Sequence, residues 1–429
     1  MRTRDQVLSM GTAQMISTGL GIIYSIVTAR GLGPALRGQL YVAQAYFTTA
    51  SMLLSLSLAT VMTVQVSRGD FETAEVHTSA VLMSALLGMG GGILALVLYV
   101  HTTRFSGPAP WVLVVFFLSL PAVLYKALWG GIVLGLRRIG LLSLYAILDA
   151  FLTALGAGLA LYVFRLGLPG ILIMLAIESG VMAVIGYAVF AKMGHDSWHL
   201  SLRCMRNLCG QGSQQQLAAT LQQLYLRADA FILPHFLSPL ALGEYAIARG
   251  ISDRTTVAFT PIAQVMFPHI SSRDSRTARH YTRLTFRQLA GLGVAITAAL
   301  VIVMPKFIPL MYGSAYRDAV LLADILCIAL IVRSITVPIE LWFVGGLLKP
   351  GLTAISSAFM LVAVSASGYF LTRRFAGIGM ASAVLSSFVL SLGFTIWLAN
   401  RKGLGLRKLL PSIADLRLIF AIARQPSGT

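Results

Sequence analysis

The chain has 429 residues, of which 57% are hydrophobic and only 11% charged, with a mean hydropathy of +0.81. Soluble domains carry roughly 25% charged residues, so a water-soluble fold is excluded. A formal charge of +18 would suggest nucleic acid in a soluble protein. Here Lys and Arg cluster between long apolar stretches, as topology determinants and lipid headgroup contacts do, which leaves no role for a nucleic-acid partner.

A helix needs about 20 apolar residues to cross the hydrocarbon. Such windows predict an all-α polytopic membrane protein of twelve spans, over residues 7–29, 39–66, 77–101, 111–134, 141–164, 168–192, 208–233, 240–268, 284–311, 319–345, 352–372 and 377–399. The first opens like a signal peptide, with Arg2 and Arg4, but its apolar stretch is too long and no small-residue cleavage site follows. It reads as an uncleaved first span. With both termini on one face, that face holds more than twice as many Lys and Arg residues as the other, among them Arg137, Arg138, Arg276, Arg279 and Arg401. The positive-inside rule makes it the cytoplasmic face. Beyond Arg401 the basic tail contains an apolar run, 413–423, that is half a membrane long and follows Pro411 and a capping-box-like Ser412-x-x-Asp415. That pattern predicts a short helix lying on the cytoplasmic surface.

The chain also repeats itself. Gly33-Pro34-Ala-Leu-Arg37-Gly38-Gln-Leu-Tyr41-Val-Ala43 echoes Ser238-Pro239-Leu-Ala-Leu242-Gly243-Glu-Tyr-Ala-Ile-Ala248 at an offset of 205. Gly135-Leu-Arg-Arg-Ile-Gly140 echoes Gly346-Leu-Leu-Lys-Pro-Gly351 at an offset of 211. Both place the start of the second copy at the seventh span. Six spans is an even number, so the copies insert in the same orientation, a parallel repeat of the kind found in transporters. The expected domains are a six-helix lobe over 1–206, a second over 207–400, and a tail over 401–429.

No P-loop, G-x-S-x-G or H-E-x-x-H motif is present, and the expectation is a protein that is not an enzyme and needs no cofactor. Cys204, Cys209 and Cys327 lack paired or metal-type spacing and read as small packing residues. Ionisable residues inside spans are the functional candidates, because each costs several kcal/mol unless paired or facing an aqueous cavity. Arg254, Arg333, Arg249 and Lys126 are the candidate substrate-binding cations. Arg249 and Asp253 stand one helical turn apart and can pair, leaving Arg254 either to bind a phosphate or carboxylate or to close an interhelical pair with Asp149 or Glu178. Arg333 and Lys126 face the same choice, cavity cation against ion pair or snorkelling lysine. Asp149, Glu178, Asp229 and Asp253 are candidates for coupling or ion pairing, and Glu340 reads as an interfacial residue. Gln214 to Gln216, Gln222, Gln223 and Tyr225 give the seventh span a polar face for sugar hydroxyls or for neighbouring helices. Gly88 and Gly90 to Gly92, with Gly377 and Gly379, allow close packing or bending.

Ala29-Arg-Gly-Leu-Gly33-Pro34-Ala-Leu-Arg37-Gly38 resembles the first connector of the Wzx-type polysaccharide flippases of the MOP superfamily. Arg227-Ala-Asp229, Phe236-Leu-Ser-Pro239, Gly243-Glu-Tyr-Ala-Ile-Ala248, Phe267-Pro268, Tyr312-Gly313, Gly345 to Pro350 and Phe375-Ala-Gly377-Ile-Gly379 follow that family's landmarks in order. The resemblance covers nearly the whole chain. It implies a carrier, in two six-helix lobes around a polar cavity, that moves a polyprenyl-diphosphate-linked oligosaccharide to the outer leaflet of a bacterial inner membrane. Its partners would be that lipid-linked substrate, membrane lipids and other polysaccharide-assembly proteins. Cationic cavity residues of the family agree with Arg254 and Arg333, and Asp229 matches a recurrent family acid. Pro234, where a glycine is common, and the dense Arg249, Asp253 and Arg254 group depart from the pattern. Other readings are a cation-coupled multidrug exporter of the same superfamily and a membrane polysaccharide polymerase or ligase, which the short outer connectors disfavour.

Overall fold

The computed structural model describes residues 3–55, 57–103, 107–193, 198–256, 259, 262, 266–267, 270–271 and 274–405, the side chains of 3–9, 211–218 and 350 apart. The tail with Ser412, Asp415 and the run 413–423 lies outside the described residues, as do Pro268 and the side chains of Gln214 to Gln216. The described secondary structure is helical. In hydrocarbon no water is available to the backbone, so each N–H and C=O must bond within its own segment, which a helix does.

The first compact unit, Met1–Gly243, begins with α1 (Thr3–Leu54), 52 residues broken at Gly33, whose φ of 72° is non-helical. Pro34 restarts the helix. The two limbs run alongside each other, since Gln44 Nε2 donates to the Tyr24 hydroxyl at 2.9 Å across twenty residues. The second limb stops before Ser57 (φ 54°), and α2 (Leu58–Arg68) completes the crossing. The second predicted span is thus two helices. The unit continues with α3 (Thr73–Thr102), α4 (Pro110–Phe117), α5 (Leu120–Gly135), α6 (Ile139–Gly158, extended by a π-turn over Leu159–Val163), α7 (Gly167–Lys192) and α8 (Leu202–Ile232). Pro121 near the start of α5 marks the break from α4, dividing the fourth span as well. Gly88 and Gly92 of α3 lie against that break, where an added Cβ would meet the Pro121 ring nitrogen at 2.6 Å and the Phe117 carbonyl oxygen at 2.5 Å.

The unit's core gathers Trp129, Tyr125, His77, Tyr145, Met182 and Phe190. His77 stacks on Phe190 with ring centroids 3.7 Å apart and shares a 2.7 Å hydrogen bond with the Tyr125 hydroxyl. Lipid tails are as apolar as leucine, so contacts such as these hold helices together by dispersion and hydrogen bonding rather than by exclusion of water.

The second unit, Glu244–Thr429, takes in most of α9 (Pro239–Thr255) with α10 (Ser275–Tyr312), α11 (Ala319–Leu341, continued by a π-turn over Trp342–Gly346) and α12 (Pro350–Arg401). α12 is a helical hairpin like α1. It breaks at Phe375 and Ala376, the Ser367 and Ser387 hydroxyls meet at 3.1 Å, and Phe359 stacks on Phe394 at 4.8 Å. α11 packs between α10 and α12, over a core of Trp342, Phe343, Phe286 and Ile339.

The outward faces identify the solvent. Ile302 is 76% exposed, Phe370 71% and Val294 70%, while Ser252, Thr282, Thr285 and Thr395 are fully buried. Large apolar side chains outside and hydroxyls inside is the arrangement lipid selects. Eight described helical stretches are long and apolar enough to cross a membrane. Two of these are the folded-back runs Met10–Arg68 and Gly351–Arg401. Taking each as two crossings, and adding the more polar α8 and α9, gives twelve.

The backbone records the repeat. Arg137 (φ 56°) and Leu348 (φ 53°) are left-handed, as are Arg165 (φ 53°) and Ala376 (φ 52°), and each pair is 211 residues apart. Left-handed backbone costs a non-glycine residue roughly 1–2 kcal/mol, so its recurrence at the offset of the second sequence echo reflects one connector geometry used twice. The first echo is a contact. An added Cβ at Gly38 would run into the Pro239 carbonyl oxygen, and one at Gly243 into the Pro34 carbonyl oxygen. The two copies of the motif pack reciprocally, glycine on proline carbonyl in each direction.

Gly38→Ala and Gly243→Ala are each expected to destabilise the detergent-solubilised protein by about 1–3 kcal/mol, the usual range for overpacking. Gly19→Ala, at a helical position open around its Cβ, should be neutral or stabilising. Thermal unfolding midpoints of the three variants check this. A second expectation concerns Asp274, the N-cap of α10, whose carboxyl lies below its ordinary value because it accepts from the Thr277 hydroxyl and the backbone N–H groups of Arg276 and Thr277. A lowered carboxyl adds stability above its unfolded value and loses it as pH falls through the folded one. Asp274→Asn should therefore flatten the acid limb of the midpoint-against-pH curve while changing little below it.

Candidate functional site

Lys126 projects from the middle of α5 toward two carboxylates on neighbouring helices. Its Nζ pairs with Asp149 Oδ1 of α6 and lies 3.0 Å from Glu178 Oε1 of α7. Lys126 is 16% exposed, Glu178 10% and Asp149 35%. Tyr145, one turn before Asp149, ties α6 to α7 by donating to the Met182 carbonyl at 2.6 Å, and Thr153 donates to the Asp149 carbonyl at 2.8 Å. Two carboxylates against one ammonium leave one surplus negative charge. Burying such a surplus in a membrane interior is costly. A narrow gap lined by Tyr24, Thr153, Ala157, Ile171, Met174 and Leu175 runs beside it, with no room for a ligand.

Asp229 on α8 is 1% exposed. It accepts from the Ala230 N–H at 2.9 Å and from the Tyr41 hydroxyl at 3.4 Å, fastening α8 to the second limb of α1. Farther back on α8, Leu202, Arg203, Arg206 and Asn207 line an open recess of about 470 Å³.

The remaining candidates lie in the second unit. Arg249, 3% exposed, pairs through Nε with Asp253 Oδ1 at 3.1 Å, the one-turn pairing expected from the spacing. Arg254 Nη1 donates to the Gly250 carbonyl at 2.5 Å. Arg333 Nη2 meets Glu340 Oε2 at 2.9 Å across two turns of α11, so Glu340 is a counterion of Arg333. Arg249 and Arg333 are thus each matched by an acid of their own helix. Among the described residues no cluster of His, Cys, Asp and Glu is placed to hold a metal ion.

Sequence reasoning passes over Arg37, which it places in a connector. The residue is only 7% exposed, and its Nε and Nη1 are buried without a hydrogen-bond partner among the described residues. The signal was present: the motif echo aligns Arg37 with Leu242, an apolar residue.

An all-helical fold built on a repeat, apolar outside and carrying charged clusters inside its bundles, defines a polytopic membrane protein. Solved structures with this fold agree. A multidrug resistance MATE family transporter of the MOP superfamily, in an inward-facing conformation, matches with a TM-score of 0.75 and 16% identity, covering 93% of this chain and 99% of that one. The lipid II flippase MurJ, in an inward closed conformation, matches with a TM-score of 0.75 and 11% identity over 98% of this chain and 93% of that one. A MOP superfamily transporter from Pyrococcus furiosus, described as having a binding pocket of reverse polarity, matches at 0.62 and 13% over 92% and 95%. No curated protein matches significantly by sequence. The family model described as "Polysaccharide biosynthesis protein" matches residues 4–274, and the chain belongs to that family.

Lys126→Met would leave two buried carboxylates facing each other and should destabilise the protein by on the order of 3 kcal/mol, as expected when one member of a buried pair is removed. Adding Glu178→Gln to Lys126→Met should recover part of that loss. A double-mutant cycle on unfolding midpoints checks the sign and size of the coupling.

Proposed function

We propose that this protein is a flippase, moving a polyprenyl-diphosphate-linked oligosaccharide from the cytoplasmic to the outer leaflet of a bacterial inner membrane by alternating access, for surface polysaccharide assembly. The observation that carries this reading is family membership in polysaccharide biosynthesis on a fold shared with a lipid II flippase. In this reading both termini are cytoplasmic, the lobes are 1–206 and 207–400, and the protein carries its substrate without reacting with it. Arg254 and Arg333, with Arg249 as support, meet the anionic part of the substrate, because the planar fork of a guanidinium matches two oxygens of a phosphate or acidic sugar. The Lys126, Asp149 and Glu178 group supplies coupling, its surplus negative charge taking up and releasing a proton or a monovalent cation, and Asp229 holds α8 in register.

A second reading, a cation-coupled exporter of small molecules, is favoured by the similarity to the multidrug transporter and by the acid excess around Lys126.

The two separate in a deletion strain in which outer-leaflet polysaccharide and cytoplasmic lipid-linked intermediate are both measured. Flipping predicts lost polysaccharide and trapped intermediate, restored by the wild-type gene and reduced at least tenfold in rescue by Arg254→Ala or Arg333→Ala at equal protein levels. Normal polysaccharide with increased drug sensitivity would establish the exporter instead.

A further inference from the structure

Arg37 lies three residues past Pro34, at the start of the second limb of α1. Its guanidinium is enclosed, 7% of the residue being exposed, and Nε and Nη1 have no hydrogen-bond partner among the described residues. An enclosed cation opposes folding unless an anion repays its desolvation.

The repeat supplies an internal control. At the equivalent position of the second copy stands Leu242, fully buried, in the motif that packs reciprocally against the first. A leucine therefore satisfies the packing demands of this position, and shape alone does not account for an arginine. The Tyr24 hydroxyl, which accepts from Gln44 Nε2 at 2.9 Å, lies within electrostatic reach of the guanidinium. The bend joins two crossings, which puts it at the depth of lipid headgroups.

We propose that Arg37 anchors an anion site at the bend of α1 that takes a phosphate group. A guanidinium presents paired N–H donors that match two phosphate oxygens, and an occupant would supply the charge and the acceptors that Nε and Nη1 lack. Phosphate at this depth has two sources, the headgroup of an anionic lipid and a diphosphate presented at the membrane face. The site goes beyond the flippase reading, because it is defined by binding to the isolated protein and not by transport.

The test uses the purified full chain, as wild type, Arg37→Leu and Arg37→Gln. Unfolding midpoints are measured in detergent with and without inorganic pyrophosphate, and in phosphatidylcholine nanodiscs with and without phosphatidylglycerol. Wild type should rise by several degrees with pyrophosphate, with phosphatidylglycerol or with both, the responding arm naming the source. Both variants should lose the rise. Arg37→Leu without ligand should unfold at or above the wild-type midpoint, as its Leu242 counterpart implies, and should Arg37→Leu fold poorly, Arg37→Gln carries the comparison. No rise in wild type, a rise retained in both variants, or failure of both variants to fold would overturn the proposal, the last by making Arg37 a structural residue.

Discussion

A polypeptide in hydrocarbon has to satisfy its backbone from within, and most features of this chain follow from that demand. It confines the backbone to helices in the apolar interior and gathers departures from helical geometry at a few bends. Those bends are where this molecule accepts strain: Gly33 between the limbs of α1, and the left-handed pairs Arg137 with Leu348 and Arg165 with Ala376. Non-glycine residues in such positions mean that the bend geometry is imposed by the helices on either side. Because the same geometry appears twice at one offset, the bends also show how the chain is built, from two copies of one helical plan.

Inside the helices the governing quantity is charge balance. The first unit solves it with a three-member cluster, one cation between two acids, and the second with same-helix pairs, Arg249 with Asp253 and Arg333 with Glu340. A same-helix pair is balanced as it stands, whereas two acids sharing one lysine are balanced only with a further positive charge. Asp149 is the most exposed member of the cluster.

Much of this architecture was legible in the sequence, for physical reasons. Spans are long apolar windows, and the Pro34-to-Gly38 and Pro239-to-Gly243 echo marks a backbone approach too close for a side chain, so glycine is required there. Neither the break between α4 and α5 nor the one before Ser57 was read from the sequence; the first falls at Pro121, whereas Ser55 and Ser57 carry no strong breaking signal. The Arg249 and Asp253 pair was legible because helical spacing alone brings the two together. Lys126, Asp149 and Glu178 are separated by 23 and 29 residues on three helices, and no sequence period places their side chains in contact. Arg37 was misplaced because Gly33-Pro34 reads as a loop, whereas proline at the start of a helix extends helical structure over the residues that follow.

α8 carries a further consequence, for how the protein is made. With Arg203, Arg206, Gln222, Gln223, Arg227 and Asp229 along its length, it falls outside the stretches apolar enough to cross a membrane on composition alone. Yet it packs on α1, α2 and α3, with Asp229 tied to Tyr41. The free energy that admits it to the bilayer therefore comes from helices synthesised some 150 residues earlier. During biosynthesis α8 cannot partition as an independent segment, and the N-terminal helices act as its template. Damage to the first limbs of the chain would then appear as a failure to integrate the middle of the protein, far from the altered residue.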